Sequence, residues 1–455
     1  MPDILLVILA VIFVLGVAIN IHEFGHFLVA KLLGMRVEAY SFFGLGPRIW
    51  GFRVGHTDYR ISAIPLGAYV KLYGDEATAA LEGGESDGEK VPDSELYELR
   101  PRWQKFLVML GGPFMNIVLA LAIPFGIALY MGIPTVPEPV VGFVVKDGAG
   151  DKAGIKRGDR VVAIDGINDP TWDAIRDNGA ISANRDLLVT VERNGEKIPL
   201  TIRPEAVDVA GNSLGDIGIE PDIGEVPVVV QGLADGKPAI KAGLQPNDRI
   251  ITYNGKPVRN SQALTVSIRE NKDTAGTLTI ERNGAKQDLT IAAVQDTDGV
   301  YRIGVQFDQT LGNKLVPVGL AGAGTYAVSE NVRILKVTGK VFGQMFSGKR
   351  GVKDAGLSGP VGIVRMIATT ATGDQVMLKL FSMLMMISLS LGVFNLLPIP
   401  LLDGGQIMVL GIEKVCSWFG RTLSMAWKER IQLTGLAVIL LLMVFTLFLD
   451  ISKFF

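Results

Sequence analysis

ILLVILAVIFVLGVAINI, residues 4–21, runs without a charged side chain straight into His22-Glu23-Phe24-Gly25-His26. A helix needs ~20 apolar residues to cross a bilayer, so this run has the length of a membrane span. No basic residue stands before it and no small-residue cleavage site follows it, so it is expected to be a retained span rather than a secretory leader. Three further runs share its character, at 106–131, 380–412 (broken only by Asp403) and 431–449. The chain reads as a membrane protein crossing the bilayer four times.

The rest of the composition narrows the function classes. Over 455 residues, 48% of them hydrophobic, the net charge is only −2, which leaves no global basic field for nucleic acid. Cys416 is the single cysteine, so an intrachain disulfide and a thiolate-rich metal site are both excluded. Lys31 and Arg36 follow the first run; Arg100, Arg102 and Lys105 crowd the entrance to the second. Lys414, Arg421, Lys428 and Arg430 lie between the third and fourth. The positive-inside rule then puts both termini and the long 132–378 segment outside, and the 34–102 and 413–430 loops in the cytosol.

Residues 40–73 are rich in aromatic, β-branched and glycine residues, predicting two or three short strands at the cytosolic membrane face. From 74 to 99 the chain turns acidic and glycine-rich, the pattern of a flexible loop. The external segment repeats itself. Ala153-Gly154-Ile155-Lys156-Arg157-Gly158-Asp159-Arg160-Val161 returns as Ala242-Gly243-Leu244-Gln245-Pro246-Asn247-Asp248-Arg249-Ile250, at an offset of 89 residues. Asp165-Gly166 and Asn254-Gly255 keep that offset, as do Asn194-Gly195 and Asn283-Gly284, which read as hairpin turns. Two copies are too few for a solenoid and predict two tandem domains. Both resemble the PDZ domain in its permuted bacterial form, which implies binding of extended peptides by strand addition. The expected order is a first span at 1–33, the β-loop and acidic loop at 34–102, and a second span at 103–133. PDZ domains follow at 138–222 and 223–308, then external amphipathic helices at 309–378. A third membrane segment at 379–412, a cytosolic loop at 413–430 and a fourth span at 431–450 complete the chain.

The chemistry lies in H-E-x-x-H. Residues four apart share a helical face, so His22 and His26 can converge on one metal ion. Glu23 then sits beside the metal, placed to take a proton from the attacking water. A catalytic zinc site normally takes three protein ligands. His56 lies in a polar turn and Cys416 near the cytosolic loop. Asp403, the only charged residue in the third run, is the better candidate. The first span reaches His22 after about 27 Å of helix, and the third reaches Asp403 after about 35 Å if helical throughout. Both arrive in the cytosolic part of the membrane. Pro398 and Pro400 break the helix before Asp403, and irregular backbone at that depth persists only beside protein or a water-filled cavity. A peptide bond hidden in a helix must be unwound before hydrolysis. The 40–73 strands and the Asn395–Pro398–Pro400 segment are therefore expected to clamp the substrate, with Asn395 or Asn116 either binding its freed backbone or hydrogen-bonding between helices.

Taken together these residues resemble the site-2 protease family of intramembrane zinc metalloproteases, and within it the bacterial type with two tandem PDZ domains. The likeness covers nearly the whole chain. It rests on His22 through His26, on Asn395 through Gly405, on Gly112-Pro113-Phe114-Met115-Asn116, and on Ile64-Pro65-Leu66-Gly67-Ala68-Tyr69-Val70-Lys71. The fold it implies is a multi-pass α-helical membrane protein of four transmembrane helices, with a membrane-associated β-loop and two β-rich PDZ domains. It implies Zn2+ held by His22, His26 and Asp403, with Glu23 as catalytic base. It further implies a bacterial inner-membrane enzyme of regulated intramembrane proteolysis in a stress response. Its substrates would be single-span proteins such as anti-sigma factors, cut after a first external cleavage, with remnant signal peptides as a second class. Two rival readings stand beside it. One is a non-catalytic membrane scaffold whose tandem PDZ domains tether partners; the complete metal-ligand set argues against it. The other is a zinc-dependent transporter, which predicts intramembrane repeats or paired broken helices, and the sequence has neither.

Overall fold

The computed structural model describes residues 4–64, 67–74, 91–209, 212–295, 301–307, 315–348, 359–371, 375–420 and 424–452. Residues 75–90 of the acidic flexible loop expected at 74–99, Pro65 and Leu66 of the β-loop, and parts of the 309–378 stretch lie outside them. The chain forms two compact units. One comprises Met1–Tyr130, Val318–Lys336 and Leu357–Phe455; the other comprises Met131–Pro317 and Val337–Gly356.

In the first unit, four helices are long and apolar enough to cross a membrane: Ile4–Leu32, Arg102–Met131, Val376–Asn395 and Arg430–Ile451. The shortest has 20 residues, or about 30 Å of helix, which matches the hydrocarbon thickness of a bilayer. Small residues meet at their centre. Ala10, Val14 and Ala18 of the first span pack with Ala120 and Ile123 of the second and with Leu380, Leu384 and Leu389 of the third. Lipid tails exert no hydrophobic drive between helices, so close packing of this kind is what holds spans together. The fourth span keeps Leu441 71% and Val444 63% exposed, which suits lipid and not water.

The first span contains a π-helical stretch, Ile12–Gly16, just ahead of its histidines. Asn20 Nδ2 donates to the Gly16 carbonyl there at 2.7 Å, giving one of the loosened backbone groups a partner. The third span ends at Asn395, just ahead of the break expected at Pro398 and Pro400. Pro398 and Pro400 withdraw two N–H donors, Leu401 takes φ +82°, and a separate helix, Asp403–Trp418, begins. Within the stretch read as external amphipathic helices, Leu320–Phe346 and Pro360–Thr370 are helical. Pro360–Thr370 buries Ile367 in the same core as the spans. Its start is held by Asp450 of the fourth span, whose carboxylate accepts from Gly359 N at 3.1 Å and Gly362 N at 2.9 Å.

The β-loop holds four strands where two or three were expected: β1 (Val37–Phe43), β2 (Leu45–Val54), β3 (Thr57–Ile64) and β4 (Tyr69–Leu72). Their order is β2-β3-β1-β4, with β1 and β3 parallel and the other pairs antiparallel. Alternation alone does not separate β1 from β2, because Gly44 makes the break at φ +93° in the midst of an aromatic run. Tyr40 Oη donates to the Asn20 carbonyl at 3.2 Å and Lys31 Nζ to Thr57 Oγ1 at 2.7 Å, so the sheet is tied to the first span.

The second unit carries the repeated modules. In the first, strands run in the order Glu196–Ile202, Leu187–Arg193, Arg160–Ile164, Ile167–Asn168, and Val141–Val144 pairs separately with Ile219–Pro221. In the second, the order is Ala285–Ile291, Gly276–Arg282, Arg249–Tyr253, Val228–Leu233, Val305–Phe307. Each module has its own core, around Val161, Ile164, Leu187 and Ile202 in one and Ile250, Leu264, Leu278 and Ile280 in the other. The structure explains why the motif repeats. Arg193 makes a two-pronged bond to Asp159 at 2.7 Å on each prong and donates to the Gly154 carbonyl. Arg282 does the same to Asp248 and Gly243. Asp165-Gly166, Asn194-Gly195, Asn254-Gly255 and Asn283-Gly284 all have positive φ at both residues, as tight hairpin turns require.

Candidate metal centre

Three elements build the site. The helix Ile4–Leu32 carries His22 and His26 one turn apart, and their Nε2 atoms lie 3.2 Å from each other. The turn after Asn395 folds back so that Asp403, at the start of its helix, meets them. Asp403 Oδ2 is 3.1 Å from His22 Nε2, and Oδ1 is 3.4 Å from His26 Nε2. One ligand atom from each of the three residues falls within 4.8 Å of the others. The helix Arg102–Met131 forms the back wall. His26 Nδ1 lies 2.7 Å from the Val108 carbonyl, so that ring donates from Nδ1 and leaves Nε2 as a lone pair. The Asn116 amide lies 3.1 Å from His22 Nδ1.

Glycines make this convergence possible. A Cβ at Gly112 would come within 2.4 Å of His26 Nε2 and 2.8 Å of His22 Nε2. Gly25 and Gly111 bring the two helix backbones together, since a Cβ at Gly25 would lie 2.1 Å from the Gly111 carbonyl oxygen. The Asp403 turn is equally tight: a Cβ at Gly404 would lie 2.3 Å from the Leu396 backbone and one at Gly405 2.2 Å from the Ile399 carbonyl oxygen. Leu401, a branched residue held at φ +82°, stores backbone strain beside the site.

The donor set fits a divalent metal ion. Two imidazole nitrogens and a carboxylate, mostly buried, point lone pairs at a common centre. Asp403 Oδ2 is buried and makes no hydrogen bond among the described residues despite its approach to His22. A buried carboxylate oxygen without a donor is costly, and a cation removes that cost. This is the nitrogen-and-oxygen set of three-ligand catalytic zinc sites.

The remaining residues singled out from the sequence fall as follows. Glu23 lies outside the three-ligand cluster, with Val70 of β4 beside its carboxylate. Asn395 Nδ2 is 3.3 Å from His22 Nε2. Asn116 is fully buried, with its amide beside His22. Pro398 is exposed, whereas Pro400 lies against Gly435 of the fourth span. His56 is exposed in the β2–β3 turn and Cys416 sits near the far end of the Asp403 helix; neither belongs to the cluster. Sequence reasoning missed Val108, which contributes only its carbonyl, and Ser388, whose one signal was a hydroxyl inside an apolar span.

An H-E-x-x-H helix and a distant aspartate, gathered at the ends of membrane spans, define a membrane-embedded metalloprotease. Residues 10–442 match peptidase family M50, and the chain belongs to that family. It is 30% identical over 463 residues to "Regulator of sigma-E protease RseP" of Escherichia coli (strain K12), covering 96% of this chain and 97% of that protein. It is 28% identical over 483 residues to a protein of Vibrio cholerae serotype O1 that carries the name of a zinc metalloprotease, covering 100% of both. Among solved structures, the PDZ domain of the SdrC-like protein from Listeria monocytogenes aligns with 19% of this chain and 90% of its own, at 22% identity and a TM-score of 0.18.

Proposed function

We propose that this chain hydrolyses peptide bonds within or beside the transmembrane helices of single-span membrane proteins, in the cytosolic part of the bacterial inner membrane. The observation that carries the reading is the meeting of the His22–His26 pair with Asp403, from a distant part of the sequence, at one mostly buried point. These three residues are the zinc ligands in this reading. When bound, zinc supplies Lewis-acid activation of water and of the scissile carbonyl. Glu23 takes the proton from the attacking water and passes it to the leaving amine. Val70 of β4 lies beside that carboxylate. Asn395, 3.3 Å from His22 Nε2, donates to a substrate carbonyl in this reading. Both termini and the two PDZ modules lie outside, as the Lys/Arg distribution supports.

Anti-sigma factors already trimmed by an external protease are the favoured substrates, in keeping with the name of the Escherichia coli relative, and remnant signal peptides are a second class. The test incubates the purified chain with single-span substrates, with and without a chelator. Cleavage inside or beside the span that stops on chelation and returns with zinc is expected. Cleavage indifferent to chelation would remove the metal from the reaction.

A further inference from the structure

The two histidines of the cluster are oriented by different means. His26 Nδ1 is fixed by a backbone carbonyl, which no substitution at Val108 removes. His22 Nδ1 faces a side chain instead, the amide of Asn116 on the second span, at 3.1 Å. Asn116 and its neighbour Ser388 on the third span are both 0% exposed. The Ser388 hydroxyl donates to the Asn116 main-chain carbonyl at 2.9 Å and lies 3.3 Å from Asn116 Oδ1. Gly392, one turn beyond Ser388, lets the third span approach this point, since a Cβ there would lie 3.3 Å from Asn116 Cβ.

For His22 Nε2 to offer a lone pair to a metal, Nδ1 must carry the proton and needs an acceptor. The amide has one oxygen and one NH2 group, and a half-turn about its last bond exchanges them. With the oxygen toward His22, Nδ1–H donates to Asn116 Oδ1, and the NH2 donates to Ser388 Oγ. The Ser388 hydroxyl proton is already committed to the Asn116 carbonyl, so its oxygen is free to accept. Every buried polar atom in this chain of three residues then has a partner.

Resting on the zinc reading above, we infer that Asn116 is a positioning residue. Its amide oxygen sets the tautomer and ring orientation of His22, and Ser388 fixes which way the amide faces. Removing an outer partner of a ligating imidazole typically weakens metal affinity about 10–100-fold.

Zinc affinity of the full chain in detergent, measured by competition with a chromophoric chelator, tests this. Asn116→Leu should weaken binding about 10–100-fold, whereas Asn116→Asp, which keeps an acceptor, should stay near the wild type. Equal weakening in both variants would reduce Asn116 to a packing residue, and unchanged affinity in Asn116→Leu would sink the inference outright. His22→Ala separates the two levels. If it retains full affinity, the metal site itself is misassigned; if it alone loses zinc, only the role of Asn116 fails. A second measurement needs no variant at Asn116. The chain has only 3 histidines, so nitrogen-15 labelling of histidine gives three imidazoles, with His56→Gln identifying one. In the zinc-loaded wild type His22 should bind through Nε2 with Nδ1 protonated, and coordination through Nδ1 would overturn the assignment.

Discussion

Glu23 lies one position beyond His22, which on a helix turns its side chain off the face that His22 and His26 share. Glu23→Gln should therefore leave the fold and the zinc in place while lowering turnover by at least about 10²–10⁴-fold, the usual range for a general base. Turnover of purified protein per bound zinc is the deciding quantity; near-wild-type turnover on that basis would leave the enzyme without its base. Gly112 makes a different demand on the same cluster. Alanine favours helix over glycine, so Gly112→Ala should not weaken its own span, yet the added methyl enters the space of both imidazoles. Zinc affinity should fall while the spans stay assembled. Gly126→Ala on the same helix, where a Cβ meets nothing within 4 Å, should bind zinc normally. The candidate metal ligands were legible in the sequence because two histidines four apart and one aspartate in an apolar run are costly in a bilayer unless they serve a function. Asn116 was legible as a polar residue in a span and as part of the Gly112–Asn116 motif, but not as a neighbour of His22. Its neighbours come from other helices, and helix-to-helix register is not written in hydropathy.

The elements divide in the same way. Four spans follow from apolar length alone. The end of the third does not, because residues 396–402 are as apolar as the helix before them, and only the prolines mark the stop. The tight contacts of Gly404 and Gly405 with the loop they follow predict that Gly405→Ala displaces Asp403, with loss of zinc and no loss of membrane insertion; full zinc occupancy would show that the turn has room to yield. In the repeated modules, burial raises the Asp159 and Asp248 carboxyls. The hydrogen bonds from Arg193 and Arg282 and from backbone N–H groups outweigh it, so both ionise below their ordinary value of 3.8. A carboxyl with a depressed folded-state pKa contributes stability that is complete above the unfolded value and is lost as pH falls through the folded one. Calorimetry should accordingly show the modules losing thermal stability below about pH 4. Arg193→Met with Arg282→Met should lower stability at neutral pH, by on the order of 1–3 kcal/mol at each site, and flatten its decline in acid. An unchanged acid slope in the double variant would detach the ion pairs from it.

Across the whole molecule, the Lys/Arg distribution and an even number of spans favour a topology with the repeated modules outside the cell membrane. With Cys416 replaced, a cysteine at Asn194 should react with an impermeant maleimide in intact spheroplasts. Labelling that appears only after the inner membrane is opened would invert the topology. The histidines and the carboxylate also differ in when they are made. Asp403 follows the first span and both repeated modules along the chain, so a ribosome that has delivered those has yet to synthesise the carboxylate that meets the two histidines. Until then the nascent chain holds the His22 and His26 imidazoles without the third ligand proposed for them. A product truncated ahead of Asp403 should therefore bind zinc weakly and cut nothing, and the zinc content of a 1–402 fragment in detergent checks this.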